Sequence, residues 1–155
     1  MSKTTFCTTE SPVGRLAIRT RGDTIVALDW VTTDSATADT PLQDDATRQL
    51  VAYFAGDLQT FDLPLAPDGT QHQKKVWAEM SKIPFGDLRT YGDLAKTIGS
   101  GAQAVGTACG KNPIPIIVPC HRIIAAGGGI GGYSGRDGVA TKQILLALEG
   151  ALPGQ

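Results

Sequence analysis

Residues 90–110 read TYGDLAKTIGSGAQAVGTACG. Thr90 can cap a helix with Asp93 three residues on, and Leu94, Ala95 and Ile98 give that helix one apolar side. Gly99-Ser100-Gly101 breaks the pattern. A second helix starts at once, with Ala104, Val105 and Ala108 on one side and Gly110 at its end. Two short helices joined by a three-residue, glycine-bearing turn have the form of a helix-turn-helix, whose second helix can enter a DNA groove. A plain helical hairpin has the same form, and spacing alone does not choose between them.

Upstream, Thr70 caps another helix with Val76, Trp77 and Met80 on its apolar face, ended by Ile83-Pro84-Phe85-Gly86. The Pro67-Asp68-Gly69 break divides the chain into halves 1–69 and 70–155. The first half predicts strands over 6–9, 15–19 and 24–30, separated by Ser11-Pro12-Val13-Gly14 and Gly22-Asp23 turns, which make an antiparallel meander. An acidic loop over 31–44 leads to a helix over 46–54, carrying Leu50, Val51 and Phe54, and a further strand over 60–65. Downstream of Gly110, residues 114–119 read as extended, glycines crowd 127–132, and a helix over 141–149 closes the chain. The fold class is α+β, a small N-terminal antiparallel sheet with a helix followed by a mainly helical domain.

Charge is divided unevenly. Residues 1–69 hold five basic and ten acidic side chains, and residues 70–155 hold nine basic and five acidic ones, within a net charge of -1. An anionic partner is drawn to the second half, and DNA is one such polyanion. No run approaches 18 apolar residues and no basic-then-apolar leader opens the chain, which predicts a cytosolic protein with no membrane segment. Cys7, Cys109 and Cys120 are an odd set, so at least one free thiol is expected. Two histidines, His72 and His121, are too few for a metal cluster, so no metal is expected.

Val118-Pro119-Cys120-His121-Arg122 carries the chemistry. A cysteine reacts as its thiolate, and an ordinary thiol is only a few per cent ionised at neutral pH. His121 and Arg122 are the neighbouring groups that could shift that balance, and Pro119 stiffens the chain just before the sulfur. A small buried hydrophobe beside a satisfied histidine is the alternative reading.

Pro119-Cys120-His121-Arg122, with Asn112-Pro113 before it and Gly132-Tyr133-Ser134-Gly135 after it, resembles the signature of the O6-alkylguanine-DNA alkyltransferases. The resemblance spans residues 70–150 and includes Val76-Trp77, Ile83-Pro84-Phe85-Gly86, Thr90-Tyr91, Ala104-Val105-Gly106, Leu145-Leu146 and Glu149. The N-terminal strands match only in general plan, resembling that family's ribonuclease-H-like sheet. The resemblance implies irreversible, single-use transfer of an alkyl group from O6-alkylguanine in duplex DNA onto Cys120 after nucleotide flipping, by a monomer without a cofactor. It implies that His121 acts on Cys120 through a water, that Glu149 orients His121, and that Tyr91 gives a proton to N3 of guanine. It further implies DNA contacts at Thr90, Gln103, Ala104, Gly106, Asn112 and Arg122. The base pocket would use Ile123, Tyr133 and the Ser134 amide.

Three positions depart from the family pattern. Gln103 stands where an arginine is usual, so the cation that would replace the flipped nucleotide is lost. His72 stands at an aromatic position, and Arg136-Asp137-Gly138 is a short insertion beside the base pocket. Gln103 keeps open an alkyltransferase-like protein that recognises damage without transfer, although that type lacks the cysteine. A transcription regulator sensing alkylation at Cys120, and a hydrolase using Cys120 and His121, are the remaining rivals.

Overall fold

The computed structural model describes residues 3–133 and 138–152. The chain divides into two compact units, Met1–Asp68 and Gly69–Gln155. In the first, β1 (Thr4–Thr9), β2 (Leu16–Arg21) and β3 (Thr24–Trp30) pair antiparallel in chain order. Cys7, Leu16, Ile18, Ile25 and Leu28 are buried, and α1 (Pro41–Phe54) adds Ala46, Leu50 and Tyr53 to the same core. Within this apolar layer Gln43 is fully buried, and its amide nitrogen donates to the hydroxyls of Thr5 and Thr20. Those two bonds offset the desolvation of its amide.

Two expectations in this unit are corrected. Helix α1 begins five residues earlier than predicted, because Thr40 accepts from the Gln43 backbone N–H and Pro41 occupies the first turn, where a missing N–H does no harm. The segment over 60–65 forms no strand; only Leu65 bridges in parallel to Ile25, with the Ile25 N–H donating to the Pro64 carbonyl.

The second unit holds α2 (Gln71–Met80), α3 (Tyr91–Ile98), α4 (Ala102–Gly110) and α5 (Val139–Leu148). Thr70 with Gln73 and Thr90 with Asp93 form reciprocal capping boxes, which satisfy the exposed N–H groups at the starts of α2 and α3. Gly99, at φ 69°, ends α3 in the left-handed region, where a side chain would be strained. Val76, Trp77, Met80, Leu94, Val105, Ala108, Leu145 and Leu146 make the core, and the Trp77 indole N–H donates to the Ala108 carbonyl at 2.8 Å. Gly69 is required at its place, since a Cβ there would lie 2.5 Å from the Trp77 ring.

The residues before Cys120 also depart from expectation. The segment over 114–119 is a tight turn instead of an extended run: Val118 N–H donates to the Ile114 carbonyl, and Pro115 bridges to Val118. Ile116 sits at φ 74°, a region that a β-branched residue rarely enters, and it is buried. Asn112 holds this turn from inside, donating to the Val118 carbonyl at 2.8 Å and accepting from the Ile114 N–H at 3.0 Å. A short parallel pairing of β4 (Arg89–Thr90) with β5 (Ile123–Ile124) then brings the start of α3 beside the chain leaving Cys120.

Candidate active site

Cys120 opens a single 3-10 turn, Cys120–Arg122, whose three side chains are all buried. The residue is 5% exposed and lies on the wall of a cavity of about 270 Å3, shared with Tyr91, Gly106, Cys109, Gly110, Gly132 and Tyr133. That volume is just below the roughly 300–1,000 Å3 usual for drug-sized ligands, so the cavity suits one small group. Burial pushes the Cys120 thiol up, while a hydrogen bond from the Asn112 side chain and the charge of Lys142 pull it back. Cys109 shares the cavity wall but is pushed up to about 12 by burial, so it stays a neutral thiol, packed 3.4 Å from the Met80 sulfur.

His121 is fully buried, with Nε2 2.7 Å from Glu149 Oε2 and no protein partner among the described residues for Nδ1. Burial lowers its tendency to protonate, and the Glu149 carboxylate opposes that. Glu149 caps the end of α5 and is reached by a second group as well: Arg122 donates from Nε to Oε1 at 2.8 Å and from Nη2 to Oε2 at 3.0 Å. Arg122 Nη1 also donates to the Ile83 carbonyl at 2.6 Å. Arg122, expected at the DNA, is instead turned inward in this structure. Its guanidinium is buried, and three of its five N–H donors bond a carboxylate and a carbonyl.

Tyr91 is the first residue of α3, so the Thr90–Asp93 cap fixes its backbone. Its hydroxyl bonds the Gly132 backbone, and burial raises its pKa, which keeps the phenol protonated. The ring lies against Gly106 on α4, where a Cβ would come within 3.8 Å of it. Of the other expected residues, Gln103 and Ala104 are exposed on α4, and Thr90 is half-buried at the start of α3. None of the three lines the cavity. Ile123 is buried beneath the site, and its carbonyl already accepts from Lys142. Ser134 and the insertion residues Arg136 and Asp137 lie outside the described residues.

Lys142 escapes the sequence reading. It is fully buried on α5, and Nζ donates to the Ile123 carbonyl at 2.5 Å and the Gly132 carbonyl at 3.1 Å. Desolvation brings its pKa down to about 8. A Cβ on Gly131, at φ 74°, would lie 3.2 Å from the Tyr91 hydroxyl and 3.5 Å from Lys142 Nζ, so glycine lets these two groups approach the same strand of backbone. The cation that acts on Cys120 is thus Lys142, while His121 and Arg122 are occupied with Glu149. The available signal is periodicity: Leu145 and Leu146, three and four residues on, place Lys142 on the buried stripe of its helix.

A sulfur and a phenol on the wall of one small cavity, beside a buried imidazole hydrogen-bonded to a carboxylate, define an α+β protein with a cysteine-lined pocket next to a histidine–glutamate pair. Comparison with known proteins narrows that class. Residues 71–151 match the DNA binding domain of the 6-O-methylguanine DNA methyltransferases, and residues 5–67 match their ribonuclease-like domain. The chain belongs to the 6-O-methylguanine DNA methyltransferase family. The methylated-DNA–protein-cysteine methyltransferase of Mycolicibacterium paratuberculosis is 42% identical over 152 residues, covering 93% of this chain and 91% of that protein. The crystal structure of Mycobacterium tuberculosis O6-methylguanine methyltransferase superposes with a TM-score of 0.85 at 39% identity, over 99% of this chain and 97% of that one. The Mycobacterium tuberculosis OGT structure in complex with DNA gives 0.84 at 42% identity, over 94% and 93% of the two chains.

Proposed function

We propose that this chain repairs alkylated DNA by taking the alkyl group of O6-alkylguanine onto Cys120, once per molecule. The observation that carries the proposal is Cys120 on the wall of a base-sized cavity, followed directly by a buried His121 that is hydrogen-bonded to Glu149. Helices α3 and α4 act as a helix-turn-helix on duplex DNA, and the damaged nucleotide is everted into the cavity. The Cys120 proton passes to Nδ1 of His121 through a water while Glu149 holds Nε2. Sulfur then attacks the alkyl carbon opposite O6, so that a C–S bond forms as the C–O6 bond breaks. Tyr91, kept protonated by its burial, gives its proton to N3, and guanine leaves neutral instead of as an anion.

Asn112 holds the turn that aims the thiol, and Tyr133 walls the cavity. Thr90, Gln103, Ala104 and Gly106 meet the DNA, and Ser134 reads O6 through its amide. A thioether does not hydrolyse, and Cys109, the other thiol at the cavity, is held neutral and is a poor second acceptor, so each molecule is consumed. The protein works as a monomer in the cytosol. No helix among the described residues is long and apolar enough to cross a membrane.

Intact-protein mass spectrometry after incubation with an O6-methylguanine oligonucleotide tests the reading. One methylene mass should appear on the Cys120 peptide and be absent from Cys120→Ala. Tight binding without that gain would identify a damage-recognition protein instead.

A further inference from the structure

The relay needs His121 to begin as a neutral imidazole, and Glu149 works against that. A buried carboxylate hydrogen-bonded to an imidazole stabilises the imidazolium, which has no lone pair left to accept the Cys120 proton. Both oxygens of Glu149, however, are engaged by the Arg122 fork at 2.8 and 3.0 Å. The guanidinium is itself fixed, by the Ile83 carbonyl at 2.6 Å and by its place 5.9 Å from the centre of the Phe85 ring. Glu149 therefore has its counter-charge before His121 supplies one.

We propose that Arg122 is a positioning residue that keeps His121 neutral by neutralising Glu149, leaving the imidazole to donate from Nε2 and to accept at Nδ1. Its effect is on the base, not on DNA, and it rests on the transfer reading above. The charged and titratable groups around His121 are few. Glu149 and Lys142 face it from α5 and its cap, and Arg122 and Cys120 adjoin it on its own turn. The buried side chains of α2, which packs on the same turn, are Val76, Trp77 and Met80, none of which titrates. Burial is the largest influence against the charged ring, Arg122 and Lys142 act in the same direction, and Glu149 alone opposes them. Removing Arg122 therefore exposes His121 to the full carboxylate charge. The imidazolium then persists to higher pH, and the acidic limb of the pH–rate profile moves upward.

The test compares single-turnover methyl transfer from pH 5.5 to 8.5 in the native chain, Arg122→Met and Arg122→Met/Glu149→Gln. Relative to the native chain, Arg122→Met should lose more rate at pH 6 than at pH 8, with a loss that approaches but does not exceed about tenfold for each pH unit by which the acidic limb moves up. The double variant, with both charges gone, should recover the native limb position even at a lower maximum. Equal loss at every pH in Arg122→Met would mean a structural role only and would overturn the proposal. Where Arg122→Met does not fold, Arg122→Lys gives a smaller displacement of the same sign. Nitrogen NMR of His121 in the native protein provides a separate measurement. The ring should remain neutral and protonated at Nε2 down to pH 6; titration at the ordinary histidine value of about 6.5 overturns the proposal. If the native chain transfers no methyl group, the proposed function fails, while the ring titration, compared between the native chain and Arg122→Met, still decides the role of Arg122: an unchanged titration overturns it.

Discussion

Lys142 shows what a single residue can conceal. A lone lysine in a helix reads as a solvated charge, and its true position emerges only when α5 turns its 142-145-146 stripe inward. Cys120 and His121 are legible because their adjacency is itself chemical information; Lys142 is distant in sequence from the sulfur it serves, and only the fold brings them together. Its burial has a measurable consequence. The folded value of about 8 lies below the ordinary lysine value of 10.5, so between these two pH values the unfolded chain holds a proton that the native chain does not. Stability therefore rises with pH across that window, and the penalty for burying the ammonium is fully present below it. Urea unfolding at pH 7.5 and 10 should show a smaller gain on alkalinisation for Lys142→Met than for the native chain. An identical gain would mean that the amine is not desolvated.

Elements are most legible where caps and periodicity agree. Helices α2, α3 and α4 lie close to where the sequence predicts them, because Thr70, Thr90, Gly99 and Gly110 mark their ends. The start of α1 is harder to place although Thr40 and Pro41 announce it, because the acidic run around them reads as loop. The turn over 114–119 is not legible, since isoleucine and valine argue for extension, and the left-handed Ile116 is imposed by Asn112 and the packing around it. The break between α3 and α4 offers a matched pair of tests. Gly99→Ala places a Cβ at φ 69° and should destabilise by about 1–2 kcal/mol. Gly101, the N-cap of α4, has no side-chain cap, and nothing lies within 4 Å of a Cβ there. Gly101→Ser should hold or raise stability by up to about 0.5 kcal/mol. Thermal unfolding of the two variants checks both signs, and destabilisation by Gly101→Ser would refute the capping argument.

At the scale of the whole chain, the ribonuclease-like part carries the acidic excess and the DNA-binding part the basic one, and simple counting reveals that division. What counting cannot reveal is which cations remain available to phosphate. Arg122 and Lys142 are buried on internal acceptors, Lys82 pairs with Glu79 at 2.7 Å, and Gln103 on the exposed face of α4 has no charge to offer. Lys74, Lys75, Arg89, Lys96 and Lys111 remain exposed, so affinity should fall with salt through these side chains, with a slope of log affinity against log salt of about -0.9 per neutralised phosphate. Gln103→Arg should tighten binding at low salt and steepen that slope by about 1. It should also speed methyl transfer, because the added cation can stack where the everted base was. Fluorescence anisotropy with a labelled duplex from 50 to 300 mM salt, run beside single-turnover transfer, separates the two effects. An unchanged slope with faster transfer would place residue 103 inside the base stack and away from phosphate. An unchanged slope with unchanged or slower transfer would remove α4 from the DNA interface.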